Sequence, residues 1–342
     1  MSLKNLSAKN RIPSLLRNKL NNKKVNQIYR QFEKSIKNKD KFIVAVSGGP
    51  DSLALAFLAK VYSIKNNILC RFFIIDHKIR SESTKEARNV KNILKKKAIE
   101  AKILTWRQKK PSTNIQSLAR NKRYELLFNA CDKLKIKNIL LGHHEDDLYE
   151  NFFIRLLRGS GLKGLISLGL ENKIGDKNLI RPLIYQKKKD LKFISNHVFN
   201  FYVEDPSNKD EKFQRIRVRK LIAELQKNGL NKKKFSNTIK NLKSSDNVVN
   251  FYVNENLLNN TFFLRKNNKM ILNNKFFQQP YEVIFRSFSE VIKLIGKRYH
   301  FVRGKKLEKM ISDIDNNGLL KRTLGGCIIE KVKQTVIIYK ER

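Results

Sequence analysis

Four short apolar runs, separated by segments with helix-like spacing, constrain the fold of the first part of this 342-residue chain. The runs cover residues 42–46, 72–75, 103–106 and 139–141. Short apolar runs of this kind are typical of parallel strands that are buried on both faces, with helices as the connections. The sequence therefore predicts an α/β fold with a doubly wound, mostly parallel sheet.

Polar residues follow three of these runs directly. They are SGGPDS at residues 47–52, Asp76-His77, and GHHEDD at residues 142–147. In doubly wound folds, ligands bind in the crevice beyond the carboxyl ends of the strands. We therefore expect the chemistry of this protein to lie on these three segments.

The first of the three segments has the features of a phosphate-binding loop. Its two glycines and the helix start behind them place backbone N–H groups and a positive helix end where an anion can bind. The acidic Asp51 is suited to hold Mg²⁺ beside a bound nucleotide. An ordinary strand-to-helix turn could use the same residue types, but the hexapeptide resembles the SGGxDS loop of the ATP-pyrophosphatase superfamily, which cuts ATP to AMP and pyrophosphate. The predicted ATP-binding residues are Ser47, Gly48, Gly49, Pro50, Asp51 and Ser52.

Asp147 and Glu150 share the stripe of a predicted helix with Ile154, and Asp146 is adjacent. Carboxylates in a first helical turn can simply favour the helix dipole. Carboxylates on a core-facing stripe also suit metal or substrate binding across the crevice from Asp51, and we favour this second interpretation.

Arginines are grouped at three places after the first strand-helix units. Guanidinium pairs suit phosphates. The alternative for Arg120 and Arg123 is a solvated charged face, and the alternative for Arg158 is a plain helix end at the glycines that follow it. The candidate phosphate contacts are Arg120 and Arg123, Arg158 before a glycine-rich turn, and Arg215, Arg217 and Arg219.

The charge of the chain favours nucleic acid as a partner. Its 73 Lys and Arg against 30 Asp and Glu give a formal charge of +43, which attracts polyanions at long range. Lys, Asn and Ile are plentiful throughout, so part of this charge is a compositional background.

No apolar run approaches the roughly 20 residues that span a bilayer, and three scattered cysteines argue against a disulfide framework. We expect a cytoplasmic protein without a membrane partner.

Taken in order, the motifs resemble those of the bacterial tRNA(Ile)-lysidine synthetase family between about residues 41 and 220. The set is SGGPDS, DHKIR at 76–80, NIQSLARNKRY at 114–124, GHHEDD with Glu150, RGSGLKGL at 158–165, RPL at 181–183, and EDPSN at 204–208 followed by RIRVR at 215–219, with a weaker echo in LGGC at 324–327.

The resemblance implies an adenine nucleotide alpha hydrolase-like fold and an enzyme with two substrates besides ATP. It implies that ATP adenylates the wobble cytidine in the CAU anticodon of an isoleucine tRNA, and that free lysine then displaces AMP. It assigns Asp51 and Asp147 to Mg²⁺, and Asp146 or Glu150 to the lysine ammonium. Arg120 and the other arginines would neutralise phosphates. A homodimer is an open alternative to a monomer.

Three positions depart from the family pattern: Leu148, Asn151 and Ile216 stand where an amide residue, Thr and Asn are usual.

Two other functions stay open at this point. A tRNA-thiolating enzyme shares the loop but needs reactive cysteines or an iron–sulfur cluster. A non-catalytic RNA-binding protein with a decayed nucleotide fold is the other.

The chain changes character after residue 213, where a Lys- and Asn-rich stretch with helical spacing begins. Beyond it we expect helices after Pro280 and around Lys305–Ile314, and strands at 327–330 and 335–339. We accordingly expect a basic, loosely ordered N-terminal extension at 1–40, an ATP-pyrophosphatase catalytic domain at 41–213, and a helical then mixed α+β tRNA-binding accessory region at 214–342.

Overall fold

The computed structural model describes residues 12–36, 40–79, 82–106, 115–203, 211–297, 302, 304–316 and 321–341. The chain forms two compact units that divide after Leu230, rather than after residue 213. Helix 214–227 thus belongs to the first unit. Of the motif residues, Arg80, Asn114 and 204–208 lie outside the described ranges.

The first unit is built on a six-stranded sheet of order β3-β2-β1-β4-β6-β5, in which only β5 is antiparallel to its neighbour. The strands are β1 Lys41–Val46, β2 Leu69–Asp76, β3 Ala101–Thr105, β4 Asn138–Leu140, β5 Glu171–Ile174 and β6 Lys177–Ile180. The four apolar runs coincide with the first four strands. The prediction of a mostly parallel, doubly wound sheet is confirmed.

Helices flank this sheet. They are α1 Ser14–Leu20, α2 Lys23–Ser35, α3 Pro50–Lys65, α4 Ser83–Lys95, α5 Ile115–Leu134, α6 Glu145–Leu156, α7 Leu162–Leu165, α8 Lys188–Phe199 and α9 Gln214–Lys227. Helix α3 is buried on nearly all sides between Ser52 and Tyr62, because its residues are apolar or small all round. It packs against β1, β2 and α8, which fixes the position of its N-terminus.

The strand order reverses at β1, which pairs with β2 on one side and with β4 on the other. The register aligns Phe42 with Asn138 and Val44 with Leu140. The carboxyl ends of β1 and β4 therefore lie side by side. Such a reversal opens a crevice in which doubly wound folds bind their ligands.

The β5–β6 hairpin is not anticipated by the apolar pattern. Its strands, ENKI and KNLI, are short and polar, and a tight turn at Gly175-Asp176 joins them with Gly175 at a φ of +59°. Strand β6 adds to the parallel sheet beside β4. This placement brings the residues after β6 to the same edge of the sheet as the residues after β4.

The N-terminal residues 12–36 are part of the first unit. Leu16 and Leu20 of α1 and Val25, Ile28 and Phe32 of α2 are buried in the same core as α3 and β1. The expectation of a loosely ordered arm is therefore wrong for these residues. Their abundant lysines lie on the exposed face of amphipathic helices.

The second unit packs helices on a five-stranded antiparallel sheet of order β7-β8-β11-β10-β9. Its elements are α10 Lys232–Asn260, β7 Thr261–Leu264, β8 Lys269–Leu272, α11 Tyr281–Gly296, α12 Gly304–Asp315, β9 Lys321–Leu324, β10 Cys327–Val332 and β11 Thr335–Lys340. The expected mixed α+β character is confirmed. Strands β7, β8 and β9 were not among the predicted elements.

The LGGC segment forms the tight turn between β9 and β10. Gly325 and Gly326 both have positive φ, as such two-residue hairpin turns require. A Cβ at Gly325 would lie 2.6 Å from Cγ2 of Ile292. The Cys327 thiol is buried and donates to the Ile292 carbonyl at 3.3 Å. In this chain the motif serves the packing of the second unit.

Replacing Leu16 by Ala tests whether the N-terminal helices belong to the core. Leu16 is fully buried and its neighbour Leu15 is 43% exposed. We expect Leu16→Ala to lower the free energy of unfolding by about 2–5 kcal/mol, and Leu15→Ala by no more than about 0.5 kcal/mol. The single tryptophan, Trp106, is in the first unit, so its fluorescence during urea denaturation reports that unit. Equal stabilities of the two variants would contradict the assignment.

Candidate active site

The loop at residues 47–52 is organised around the hydroxyl of Ser52. Its Oγ accepts hydrogen bonds from the backbone N–H groups of Ser47 and Gly48, both at 3.1 Å, and donates to the Gly49 carbonyl at 2.9 Å. Ser47 Oγ donates to the same atom at 3.2 Å. Ser52 thus shapes the loop, whereas Pro50 begins α3, whose first-turn N–H groups have no partner within the helix.

Gly48 is required by both its conformation and its surroundings. Its φ is +88°, and a Cβ there would lie 2.6 Å from Cγ2 of Val90. The Gly48 carbonyl accepts a hydrogen bond from the N–H of Val203 at 2.9 Å. A side chain at this position would therefore displace the loop from its neighbours.

The turn after β4 packs directly on the start of α3. A Cβ on Gly142 would lie 3.0 Å from the backbone N of Ser52 and 3.1 Å from the carbonyl carbon of Asp51. The absence of a side chain at Gly142 allows this approach. It brings the SGGPDS and GHHEDD segments together, as their positions after adjacent strands predict.

His144 lies between two of the predicted carboxylates. Its Nε2 is 3.6 Å from Oδ2 of Asp51 and 3.7 Å from Oδ2 of Asp147. Its Nδ1 accepts a hydrogen bond from the Asp146 N–H at 3.2 Å, so the neutral ring carries its proton on Nε2, facing the carboxylates. The sequence alone gave no reason to prefer His144 over the other strand-end histidines.

Of the two carboxylates, Asp51 has fewer interactions that stabilise its charged form. Burial raises its pKa, although the nearby His144 and Lys188 act in the opposite direction. Its Oδ1 atom is buried and has no hydrogen-bond partner among the described residues. A cation could therefore bind this oxygen, which the described part of the chain does not satisfy.

Asp147 is held by the helix that it begins. Its Oδ2 accepts the backbone N–H of His144 at 2.9 Å, which closes a capping box at the start of α6. Burial alone would raise the pKa of Asp147, but His144, His143 and this hydrogen bond hold it below its usual value. Asp147 is thus stabilised as a carboxylate. Asp146 is half-buried in the same turn.

Glu150 and Arg219, both predicted as site residues, form an ion pair. Glu150 is 2% exposed, and its Oε1 accepts from Arg219 Nε at 2.6 Å. Burial alone would lower the pKa of Arg219, but Glu150 and the more distant Asp147 and Asp146 raise it. The pair joins α6 to α9, which explains why 214–227 belongs to the first unit.

Positive charges surround His143, beside Asp147. Burial lowers the pKa of His143 to about 3; Asp147 opposes this shift, while Arg181, Arg120 and Arg215 add to it. Arg120 and Arg215 are exposed. Their charges act on His143, as does that of Arg181, which the sequence analysis named only as part of the RPL motif.

The remaining predicted arginines have other contacts. Arg158 donates to the Gln214 side chain at 2.7 Å, and Arg217 donates to the carbonyls of Glu211 and Lys212 at 2.9 and 3.0 Å. Arg123 is exposed on α5. Arg158, Arg217 and Arg123 stay proposals as phosphate contacts.

The three departures from the family pattern have local explanations. Leu148 and Ile216 are 5% and 8% exposed and are part of the apolar packing of α6 and α9. Asn151 donates to Ser167 Oγ at 3.2 Å. Asp76 is also structural, because it accepts from Ser83 and Thr84 at the start of α4.

Comparisons with known proteins agree with this geometry. Residues 18–225 match the family model described as a PP-loop domain. The tRNA(Ile)-lysidine synthase of Orientia tsutsugamushi is 35% identical over 88% of this chain and 70% of its own length. The chain belongs to the tRNA(Ile)-lysidine synthase family. The lysidine synthase of Rickettsia felis is 30% identical over 92% of this chain and 74% of its own length.

A solved structure supports the fold of the PP-loop region. The U34-tRNA thiolase NcsA of Methanococcus maripaludis superposes with a TM-score of 0.54 and covers 65% of this chain and 78% of its own, at 18% identity. At that identity the likeness concerns the fold alone. Among the described residues, no helix is long and apolar enough to cross a membrane.

Gly48→Ala tests the phosphate-binding role of the loop. The new Cβ would meet Val90 and strain a positive φ, so we expect ATP affinity to fall by roughly tenfold or more, the equivalent of about 1.4 kcal/mol. Gly229→Ala is the matched control, because Gly229 also has a positive φ but has no atom within 4 Å of a built Cβ among the described residues. Calorimetric titration with ATP measures both; equal affinities would contradict the role.

Proposed function

We propose that this protein forms lysidine by attaching free lysine to the wobble cytidine of an isoleucine tRNA with a CAU anticodon, at the expense of ATP. The observation that carries the proposal is the meeting of the SGGPDS loop with the GHHEDD turn at the β1–β4 junction, in a chain of the lysidine synthase family. The products are AMP and pyrophosphate. We also propose that the protein is located in the cytoplasm, because tRNA and ATP are available there.

In the first step, the cytidine O2 attacks the α-phosphorus of ATP, and the bond to pyrophosphate breaks. Negative charge grows on the phosphate oxygens, and donors fixed beforehand lower the cost of that charge. The first-turn N–H groups of α3 and the exposed guanidinium groups of Arg120 and Arg215 are suited to this role.

Mg²⁺ fits the same crevice. Asp51 offers a buried Oδ1 that has no partner among the residues the structure describes, and Asp147 offers a stabilised carboxylate. No group of three or more metal-binding side chains occurs in the part of the chain that the structure describes. Mg²⁺ is commonly bound by one or two carboxylates together with substrate phosphates, and Asp51 and Asp147 would supply the carboxylates. When bound, it would neutralise phosphate charge.

In the second step, the ε-amino nitrogen of lysine bonds to C2 of the cytosine, and AMP leaves with the former O2. The attacking amine must be neutral, so a carboxylate has to bind the ammonium and accept a proton. We propose Asp146 or Glu150 for this task. Glu150 would exchange part of its ion pair with Arg219 for the incoming ammonium.

The cysteines disfavour the thiolation alternative. Cys70 is the second residue of β2, at the end of the sheet opposite the strand ends that carry the site. Burial raises the pKa of Cys131 to about 12, which suppresses the reactive thiolate. Cys327 is buried in the second unit.

We also propose that the basic second unit is an accessory region that binds tRNA.

Incorporation of labelled lysine tests the function directly. With ATP, Mg²⁺ and an isoleucine tRNA transcript carrying CAU, we expect lysine to enter the RNA, and not a transcript in which the wobble C is replaced by U. A protein that binds the tRNA but never incorporates lysine would be an RNA-binding protein instead.

Asp51→Asn tests the proposed phosphate and metal site. We expect AMP release to fall roughly 10²-fold or more, with tRNA affinity unchanged, because the amide keeps the shape but removes the charge. Asp132→Asn is the control, since Asp132 is an exposed carboxylate paired with Lys177. Equal turnover in Asp51→Asn and the wild type would contradict the assignment.

A homodimer is a separate proposal, supported by an exposed apolar stripe on α10. Val248, Phe251, Tyr252 and Leu258 are 54–75% exposed. Other residues of the helix, Asp246, Asn250 and Asn256, make its hydrogen bonds to α11. Antiparallel pairing of two copies about this stripe would place Val248 against Leu258 of the second copy. We expect light scattering to give twice the chain mass for the wild type and the chain mass for Phe251→Asp/Leu258→Asp. A monomeric wild type would contradict a dimer.

A further inference from the structure

The loop between β6 and α8, residues 181–187, lies against the acidic turn of the candidate site. The Gln186 carbonyl accepts the backbone N–H of Glu145, the first residue of α6, at 3.0 Å. The loop begins directly after Ile180, which pairs with Leu140 of β4. Both ends of the loop are therefore at the same end of the sheet as the GHHEDD turn.

The backbone of this loop is fixed by burial and by hydrogen bonds. Leu183 and Ile184 are fully buried. The Gln186 N–H donates to the Leu183 carbonyl at 2.8 Å, and the Gln186 side chain donates to Gln31 Oε1 of α2 at 2.6 Å. The backbone position of Tyr185, between these residues, is thus set before any ligand binds.

Tyr185 differs from its buried neighbours because its side chain is exposed to solvent. It is 58% exposed, more than any other aromatic side chain in the described part of the first unit; Phe193 follows at 37%. Phe193 stacks on His197 with 5.7 Å between ring centres, and Lys24 lies over its ring. Single exposed apolar residues are common on protein surfaces, but a rigid loop beside the candidate site makes the Tyr185 ring available to a ligand of that site.

The surface next to Tyr185 is basic. Lysines occupy residues 187–189; the first and third are exposed and the second is half-buried. The residue that follows, Asp190, is already paired with Lys24 at 2.7 Å. An exposed aromatic ring beside a basic surface is the combination with which proteins bind single-stranded nucleic acid, by stacking on bases and neutralising phosphates.

The same segment is tied to the phosphate-binding loop. Helix α8 begins directly after residue 187 and packs along α3. The buried Ser195 of α8 donates from its Oγ to the Pro50 carbonyl at 2.7 Å. Tyr185 and the lysines at 187–189 are therefore carried by elements that contact both the SGGPDS loop and the GHHEDD turn.

A cytidine that reacts in the crevice has to leave the base stack of its own loop. Extruding a base costs stacking free energy, and an aromatic side chain near the site can recover part of this cost by stacking on a base that stays behind. We propose that Tyr185 stacks on the unpaired base next to the target cytidine in the anticodon loop, and that Lys187 and Lys189 bind the backbone phosphates there. The inference rests on the proposed function, since it takes this anticodon loop as the partner.

Equilibrium binding of an isoleucine tRNA transcript carrying CAU to the full chain tests the stack. We expect Tyr185→Ala to weaken binding roughly 5-fold to 100-fold, the loss of one base–aromatic stack, and Tyr185→Phe to stay within about twofold of the wild type. Leu69→Ala is the control, because Leu69 is 42% exposed and begins β2 at the opposite end of the sheet; its affinity should be unchanged. Wild-type affinity in Tyr185→Ala, or a Tyr185→Phe as weak as Tyr185→Ala, would overturn the proposal.

Abasic transcripts locate the stacked base. Removing the base on the 5′ side or on the 3′ side of the wobble cytidine deletes one possible stacking partner at a time. With one of these two transcripts, Tyr185→Ala should weaken binding by less than about twofold relative to the wild-type protein, because the interaction is already lost. If the full effect of Tyr185→Ala persists with both transcripts, the assignment of the stack is wrong.

The salt dependence of binding tests the two lysines separately. We expect the double variant Lys187→Ala/Lys189→Ala to reduce the slope of log K against log salt concentration by about 1.4, which is about 0.7 for each phosphate contact on a single strand. Tyr185→Ala should leave the slope unchanged. Lys95→Ala/Lys96→Ala is the matched control, since both lysines are exposed at the end of α4, at the opposite end of the sheet. Equal slopes for the two double variants would contradict the phosphate contacts.

Lysine incorporation by the wild type, measured in parallel, separates this inference from the function on which it rests. If the wild type incorporates lysine and Tyr185→Ala binds the tRNA as the wild type does, only the inference fails. If binding depends on Tyr185 as expected but the wild type never incorporates lysine, the proposed function fails and the RNA contact stands.

Discussion

The contact between two strand-to-helix turns, one after β1 and one after β4, determines the arrangement of the site. Gly142 approaches the backbone of Asp51 and Ser52 so closely that a Cβ would fit only if this backbone shifted by a few tenths of an ångström. Helix α3 is buried on nearly all sides, so its N-terminus cannot shift to accommodate a larger neighbour. The phosphate-binding loop and the acidic turn are consequently held in one geometry before any ligand arrives, which is the condition for electrostatic catalysis.

This contact also gives two nearby carboxylates different environments. Asp147 receives a backbone hydrogen bond and lies next to two histidines, which stabilises its charged form. Burial raises the pKa of Asp51, and one of its oxygens has no partner in the described parts of the chain. A cation bound beside Asp51 would offset this cost of desolvation. The site is therefore prepared for a phosphate–metal ligand on the α3 side, while Glu150 and Arg219 neutralise each other on the α9 side.

The sequence predicts the core of the catalytic unit because each of its signals is local. The run 42–46, the loop 47–52 and the turn 142–147 can each be interpreted without tertiary information, and the rule for strand ends places them together. The β5–β6 hairpin escapes prediction because its eight strand residues carry little apolar pattern. The packing of 12–36 is hidden by the many lysines on the exposed faces of α1 and α2. The partner of Arg219 lies 69 residues away in sequence, and Arg217 and Arg181 bond carbonyl or amide oxygens of the segments that precede them. The type of residue alone could therefore not distinguish a phosphate contact from an internal ion pair or a structural hydrogen bond.

If the crevice between β1 and β4 activates the cytidine of tRNA and not the lysine, the oxygen on C2 of the cytosine must leave with AMP. Oxygen labelling follows this atom directly. A tRNA transcript with ¹⁸O at O2 of the wobble cytidine is allowed to react with ATP and lysine, and the AMP is analysed by mass spectrometry. The account predicts one ¹⁸O atom in each AMP formed with lysidine. AMP without ¹⁸O, or AMP that instead takes up label from the carboxylate of ¹⁸O-lysine, would contradict it.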